Sequence, residues 1–274
     1  MKRISSLFVY ILLSSLIVLN SCSKDDPMPP VDPVKDYVKL ASGYAAGAAT
    51  LVELYGLDSA SSGYTKLFVA LKDSVTGNYV ERAGITLVPM MDMGSMAHSA
   101  PVEQPASTQA VNKLFPCSVG FIMSSMGGTW TIAVQVNNLE NNQSGMVSFP
   151  IHVKESSPSR MYSFTSLVDN SSRYFVGLVE PSDPFVGIND LEFVVYKRQS
   201  MMAFPADSSL SISFEPSMPS MGHGSPNNVN PVHIGKGHYK GKVNFTMTGL
   251  WRLDLQLHSG TAVADSTHGF DIEF

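Results

Sequence analysis

Two short segments carry the residues best suited to soft-metal chemistry: Met93-x-x-Met96-x-His98 and Met218-x-x-Met221-x-His223. A thioether is a neutral, soft donor that needs no deprotonation. It suits Cu(I) or Ag(I), whereas Ca²⁺ and Mg²⁺ demand oxygen and structural Zn²⁺ favours thiolate with imidazole. Each segment offers two sulfurs and one imidazole on a loop, and Met90 and Met91 are spare thioethers beside the first. The competing reading is packing, because Met fills irregular core gaps. That suits Met146, Met161, Met201 and Met202, which lie near apolar strands. It fits the loop methionines less well, since their neighbours are Gly, Ser, Pro, Asp and His with no core period. A third reading is an exposed, adaptable Met surface for a protein partner.

Secondary donors are weaker. His238 falls on Cys117 at a 121-residue offset, so each half has one further donor there. Cys117 reads equally as a buried small hydrophobe or a ligand, and His233 is near enough to substitute for His238. Val243, Phe245 and Met247 share one strand face, which makes Met247 and its counterpart Met126 core residues. His152, His258 and His268 lack Met neighbours and read as structural or exposed. The chain has no Gly-x-Ser-x-Gly, Walker loop, His-Glu-x-x-His or Cys-x-x-Cys, and its carboxylates are scattered. No enzyme is expected. With a net charge of −5 and no basic stripe, no nucleic-acid partner is expected either.

The elements that position these residues read as strands. Trp130, Ile132, Val134 and Val136 alternate with polar or small residues, as do Trp251, Leu253, Leu255 and Leu257. Similar signals cover 66–72, 85–88, 119–123, 146–153, 172–180, 190–196, 209–214, 239–247 and 270–274. Only Lys39–Val52 has any helical periodicity, and Gly43, Gly47 and Thr50 work against it. Short strands between Gly/Pro/Asn/Ser turns predict β-sandwiches. Besides the Met/His segments, Met126-Gly127-Gly128-Thr129-Trp130 recurs as Met247-Thr248-Gly249-Leu250-Trp251. Two landmarks in the same order predict a tandem duplication. The expected fold is all-β: Ig-like sandwiches at 37–154 and 162–274, joined by a linker at 155–161.

The N-terminus reads as an export signal, residues 1–21, with Lys2 and Arg3 ahead of the apolar run Leu7–Leu19. Leu19-Asn20-Ser21-Cys22 resembles a bacterial lipoprotein lipobox, which implies cleavage before Cys22 and lipidation of its thiol. Residues 22–36, with Lys24, Asp25, Asp26 and four prolines, then form an extended, solvated tether. That tether resembles those of surface-directed lipoproteins in Bacteroidetes-type bacteria. Cys117 has no intramolecular disulfide partner once Cys22 is acylated.

The second half carries a family resemblance. Phe185 to Val195, Met218-Pro219-Ser220-Met221-Gly222-His223, Gly237-His238-Tyr239-Lys240-Gly241 and Met247-Thr248-Gly249-Leu250-Trp251 follow an order that resembles the YtkA-like domain. This is a small Ig-like sandwich of bacterial envelope proteins, often linked with copper or heavy-metal handling. The first half departs from the pattern, with Gly94 where Pro219 stands and Ala97 where Gly222 does. The resemblance implies a lipoprotein anchored in the outer membrane, facing the periplasm or the surface. It would bind Cu(I) on its Met/His loops and pass it to an efflux system or cuproenzyme. A metal-sensing partner of an envelope transporter would use the same loops. The alternative is a structural or recognition lipoprotein for a protein or glycan, because a sandwich fold does not define a role.

Overall fold

The computed structural model describes residues 32–274, so the export signal, Cys22 and most of the tether lie outside the described residues. The first half supplies β1 (Val38–Ala45), β2 (Thr50–Gly56), β3 (Gly63–Asp73), β4 (Ala83–Asp92), β5 (Ala97–Ser99), β6 (Val102–Glu103), β7 (Leu114–Phe121), β8 (Thr129–Asn138) and β9 (Gln143–Ile151). The second half supplies β10 (Met161–Thr165), β11 (Arg173–Glu180), β12 (Gly187–Lys197), β13 (Leu210–Met218) and β14 (His223–Gly224). It continues with β15 (Val229–Gly235), β16 (His238–Phe245), β17 (Leu250–Ser259), β18 (Ala262–Asp265) and β19 (Gly269–Glu273).

These strands form two pairs of antiparallel sheets with the same plan. In the first half the orders are β1-β2-β3-β7-β6 and β5-β4-β8-β9. In the second they are β10-β11-β12-β16-β15 and β14-β13-β17-β18, with β19 also on β17. Alternation explains the inner faces: Trp130, Ile132, Val134 and Val136 are buried along β8, as are Trp251, Leu253, Leu255 and Leu257 along β17. Each half thus closes its own core around one fully buried tryptophan.

The segment with weak helical periodicity is a hairpin. β1 and β2 pair antiparallel, and only Ala46–Ala48 makes a single 3-10 turn between them. At the end of the tether, Val34 and Tyr37 pack with Phe68 against Tyr55, Ala70 and Leu114, so the solvated spacer stops short of residue 34.

β11 and β12 differ from a one-sided strand. Tyr174–Val179 and Leu191–Tyr196 are apolar without a break apart from Gly177 and Glu192, and they are buried on both faces. The inner face enters the second core. The outer face, with Phe175, Val179, Val194, Tyr196 and Phe204, packs on Tyr64 and Ile122 of the first half. Residues 33–274 accordingly form one compact unit.

A polar clamp closes the same seam. His238 at the start of β16 lies 2.7 Å from Glu192 through Nδ1 and 2.7 Å from Glu103 of the first half through Nε2. Carboxylates only accept, so both ring nitrogens donate and the ring is an imidazolium. Tyr196 donates to the same Glu103 oxygen at 3.2 Å, Lys240 reaches Glu192 at 3.2 Å, and Tyr64 meets the imidazole edge-on. Burial opposes the charge on His238, but its two carboxylate bonds outweigh that and lift its pKa to about 9. Burial likewise works against Glu103 and Glu192, and the hydrogen bonds from His238 hold both below the ordinary range.

Candidate metal-binding hairpins

β4 turns into β5, and β13 into β14, through equivalent tight hairpins. At their bases the cross-strand partners are Met91 with His98, and Met218 with His223. Directly opposed residues project from the same face with Cβ atoms about 5 Å apart. The counterpart of Met218 is therefore Met91, not Met93. The first hairpin is longer by the pair Asp92 and Ala97, which places Met93 and Met96 at its tip, closed by the Met93 N–H to Met96 carbonyl bond of 2.9 Å. In the second, the Met221 and Gly222 N–H groups both donate to the Met218 carbonyl, at 3.0 and 2.9 Å.

The two basal methionines are core residues. Met91 is fully buried and Met218 is only 3% exposed, each within its half's main hydrophobic cluster. The Met218 methyl lies where a Cβ on Gly249 would come within 3.0 Å, and the Met91 methyl within 3.1 Å of one on Gly128. Glycine is required two residues before each tryptophan for firmer reasons as well: a Cβ on Gly128 would lie 2.2 Å from the Asp92 carbonyl oxygen, and Gly249 has a φ of +122°. Met218 as a free ligand is thus corrected to packing. Met91 moves the same way, and Met90, one residue along, faces the other side of the sheet from His98.

The exposed sulfurs lie on the turns. Met93, Met96 and Met221 are exposed, as are Met126 (88%) and Met247 on the loops that enter β8 and β17. Met126 and Met247 are therefore not core residues. Along β16, Phe245 turns into the core and packs on Trp251, but β16 ends there and Met247 leaves the ladder.

The histidines are set alike in both halves. His98 Nδ1 lies 2.7 Å from the Ser99 carbonyl, and His223 Nδ1 lies 2.9 Å from the Gly224 carbonyl. A carbonyl only accepts, so Nδ1 carries the proton and Nε2 is left with its lone pair, the arrangement that readies an imidazole for a metal. Each ring stands edge-on to its tryptophan, at 5.5 Å for His98 and Trp130 and 5.9 Å for His223 and Trp251. Each tryptophan is itself fixed by a 3.0 Å bond from its indole N–H to a backbone carbonyl, of Met123 or Met247. His98 is buried, whereas His223 is half-exposed.

The secondary donors drop out. Cys117 pairs with Leu67, whereas Leu191, the equivalent of Leu67, pairs with Gly241, so His238 corresponds to Leu114 rather than to Cys117. The Cys117 thiol is buried, points at the Leu67 carbonyl, and has its pKa pushed far up by burial. His238 spends both nitrogens on carboxylates. It also lies at the opposite end of β16 from Phe245 and the His223 hairpin, about 23 Å away at the rise of a strand. His233 sits beside it, exposed on β15 against Tyr239. Neither can join the Met221 turn. His268 stacks on Tyr162 and bonds to Asp265, as a structural histidine does.

The remaining donors, imidazole Nε2 and exposed thioethers, fit a soft monovalent ion by their chemistry. Among the described residues, no group of three His, Cys, Asp or Glu is arranged to hold a metal ion. The clamp of Glu103, His238 and Glu192 was not foreseen. Its signal was a charged residue, Glu192, inside an unbroken apolar strand.

The class this fold and site define is an all-β protein of paired sandwiches. The second half matches the YtkA-like family over residues 169–256. Solved structures similar over most of the chain include domains 5–6 of the S-layer protein SbsC, 12% identical, covering 86% of this chain and 98% of that one, with a TM-score of 0.30. A conserved domain protein from Bacillus anthracis is 11% identical, covering 81% and 78%, with a TM-score of 0.30. The Escherichia coli adhesin FdeC is 15% identical, covering 85% and 65%, with a TM-score of 0.24. No curated protein matches the chain.

Proposed function

We propose that this chain is an envelope lipoprotein that binds Cu(I) on one Met/His hairpin in each half and buffers it or hands it on. The observation that supports this is the repeated histidine setting: Nδ1 tied to a backbone carbonyl, Nε2 free, a tryptophan edge behind it, and exposed methionine on the adjoining turn. A packing histidine would need no such repeated tautomer, and packing methionines would not be exposed twice at the same turn. In the first half the donors are His98, Met93 and Met96; in the second they are His223 and Met221, with Met247 on the neighbouring loop. The bound ion would be cargo, with an efflux system or cuproenzyme as receiver. Anchoring through Cys22 would hold the chain at the outer membrane, facing the periplasm or the surface.

The test is an anaerobic Cu(I) titration of the chain from residue 22 onward, carrying Cys22→Ser, against a chromogenic Cu(I) chelator. Two equivalents are expected, with one lost in His223→Ala/Met221→Leu. Failure to compete with even a weak chelator would sink the copper reading and favour a surface that binds protein or glycan.

A further inference from the structure

The two hairpins are not equally placed. The Met221 turn is exposed, with His223 half-exposed at its base. The first hairpin meets the seam at Ser99, the end of β5, where a segment of the second half reaches across to it. The Ser99 N–H, one residue after His98 on the free edge of β5, donates to the Met201 carbonyl at 2.9 Å. Met201 and Met202 form the tip of a closed turn. The Gln199 N–H donates to the Ala203 carbonyl at 2.9 Å, and the Met202 N–H to the Ser200 hydroxyl at 3.1 Å. Both methionines are exposed, at 40% and 54%. They therefore do not fill a core gap, the role their sequence context suggests.

The docking is fixed twice. Glu103 follows Ser99 by four residues and accepts from Tyr196 and His238, while Tyr196 precedes Met201 by five. Segments 99–103 and 196–201 are thus bound to each other at both ends, which holds the Met201 turn beside the His98 hairpin. The equivalent segment of the first half, Ser74–Arg82 between β3 and β4, contains no methionine. The extra sulfurs occur only where the second half meets the first.

We propose that the first copper site is an interdomain one, in which Met201 and Met202 add thioethers to those of Met96 and Met93 around His98. This rests on the Cu(I) reading above and extends it. The first site becomes sulfur-rich around a buried imidazole, a retaining site. The second, with fewer sulfurs and a half-exposed imidazole, becomes the exchanging one. More soft donors on a held frame raise affinity for a soft ion without changing its charge.

The experiment is chelator competition with the same Cys22→Ser chain, comparing the unaltered protein with Met201→Leu/Met202→Leu. The expected result is two unequal equivalents, the tighter weakened at least tenfold by the double substitution, with the weaker one and the thermal midpoint unchanged. Two equivalents that the substitution leaves untouched would overturn this inference while the Cu(I) reading stands. No binding in either protein would overturn both. An independent measurement leaves the turn intact: copper K-edge absorption of His223→Ala/Met221→Leu, where only the first site remains. Three or more sulfur scatterers are expected, and two or fewer would refute the contribution of Met201 and Met202.

Discussion

Replacing Glu103 with Gln removes one of the two carboxylates that keep His238 charged across the seam. With both in place its pKa stands at about 9, against an ordinary 6.5. Each tenfold gain in proton affinity is worth about 1.4 kcal/mol, so the charged ring contributes about 3 kcal/mol to the folded state. Because the folded value lies above the unfolded one, that contribution is complete below pH 6.5 and is lost as pH rises through 9. Glu103 and Glu192 are shifted the other way. Their share is present above about 4.5 and is lost as pH falls through their lowered values. The clamp is therefore strongest between about pH 4.5 and 6.5 and weakens steadily above that. The direct assay is an NMR titration of the His238 ring, with an expected midpoint near 9 in the intact protein and at least tenfold weaker proton affinity in Glu103→Gln. Urea unfolding at pH 7.5 and 10 adds the energetic reading: the loss of stability over that interval, about 2 kcal/mol in the intact protein, should be at least about 1 kcal/mol smaller in the variant. A ring that titrates at 6.5 in the intact protein, or a midpoint that Glu103→Gln leaves unmoved, would refute the argument.

Two further outcomes follow from the packing. Met218→Ala should cost about 2–5 kcal/mol in urea unfolding, as for a buried side chain that leaves a cavity, and Met218→Leu less than about 1.5 kcal/mol; equal, negligible losses would return Met218 to the list of free ligands. The Cys117 thiol should stay inert to a disulfide reagent at pH 8 in the folded protein and react fully in urea, whereas stoichiometric reaction without denaturant would contradict its burial.

The sandwich plan was legible because it rests on period-two burial, which β8 and β17 display without interruption. The His98 and His223 hairpins were legible too, since glycine, proline and methionine cluster there. What the spacing could not convey was which methionine is covered. Met93 and Met218 align at a fixed offset, yet pairing register makes Met91 the equivalent, because ladder pairs rather than residue counts decide the face. The alignment of Cys117 with His238 failed for a related reason. The loop between β7 and β8 is three residues longer than its counterpart and holds a 3-10 turn at Ser125–Gly127, so an offset taken from the tryptophans does not carry back to the preceding strand. The clamp depends on residues far apart in the chain, and only the two-sided apolar runs of β11 and β12 hinted that something would cover their outer face.

The extra pair Asp92 and Ala97 bears on how such hairpins can change length. A strand shows its faces alternately, so adding one residue to each arm moves the tip outward by a pleat while every residue below keeps its side. An insertion in one arm alone would slip the register and turn either Met91 or His98 away from Trp130. Growth in matched pairs is thus the route that leaves the base intact, and the tip is free to gain residues such as Met93 and Met96 without disturbing the histidine beneath it. The three-residue difference before Trp130 escapes this parity because it lies off the ladder.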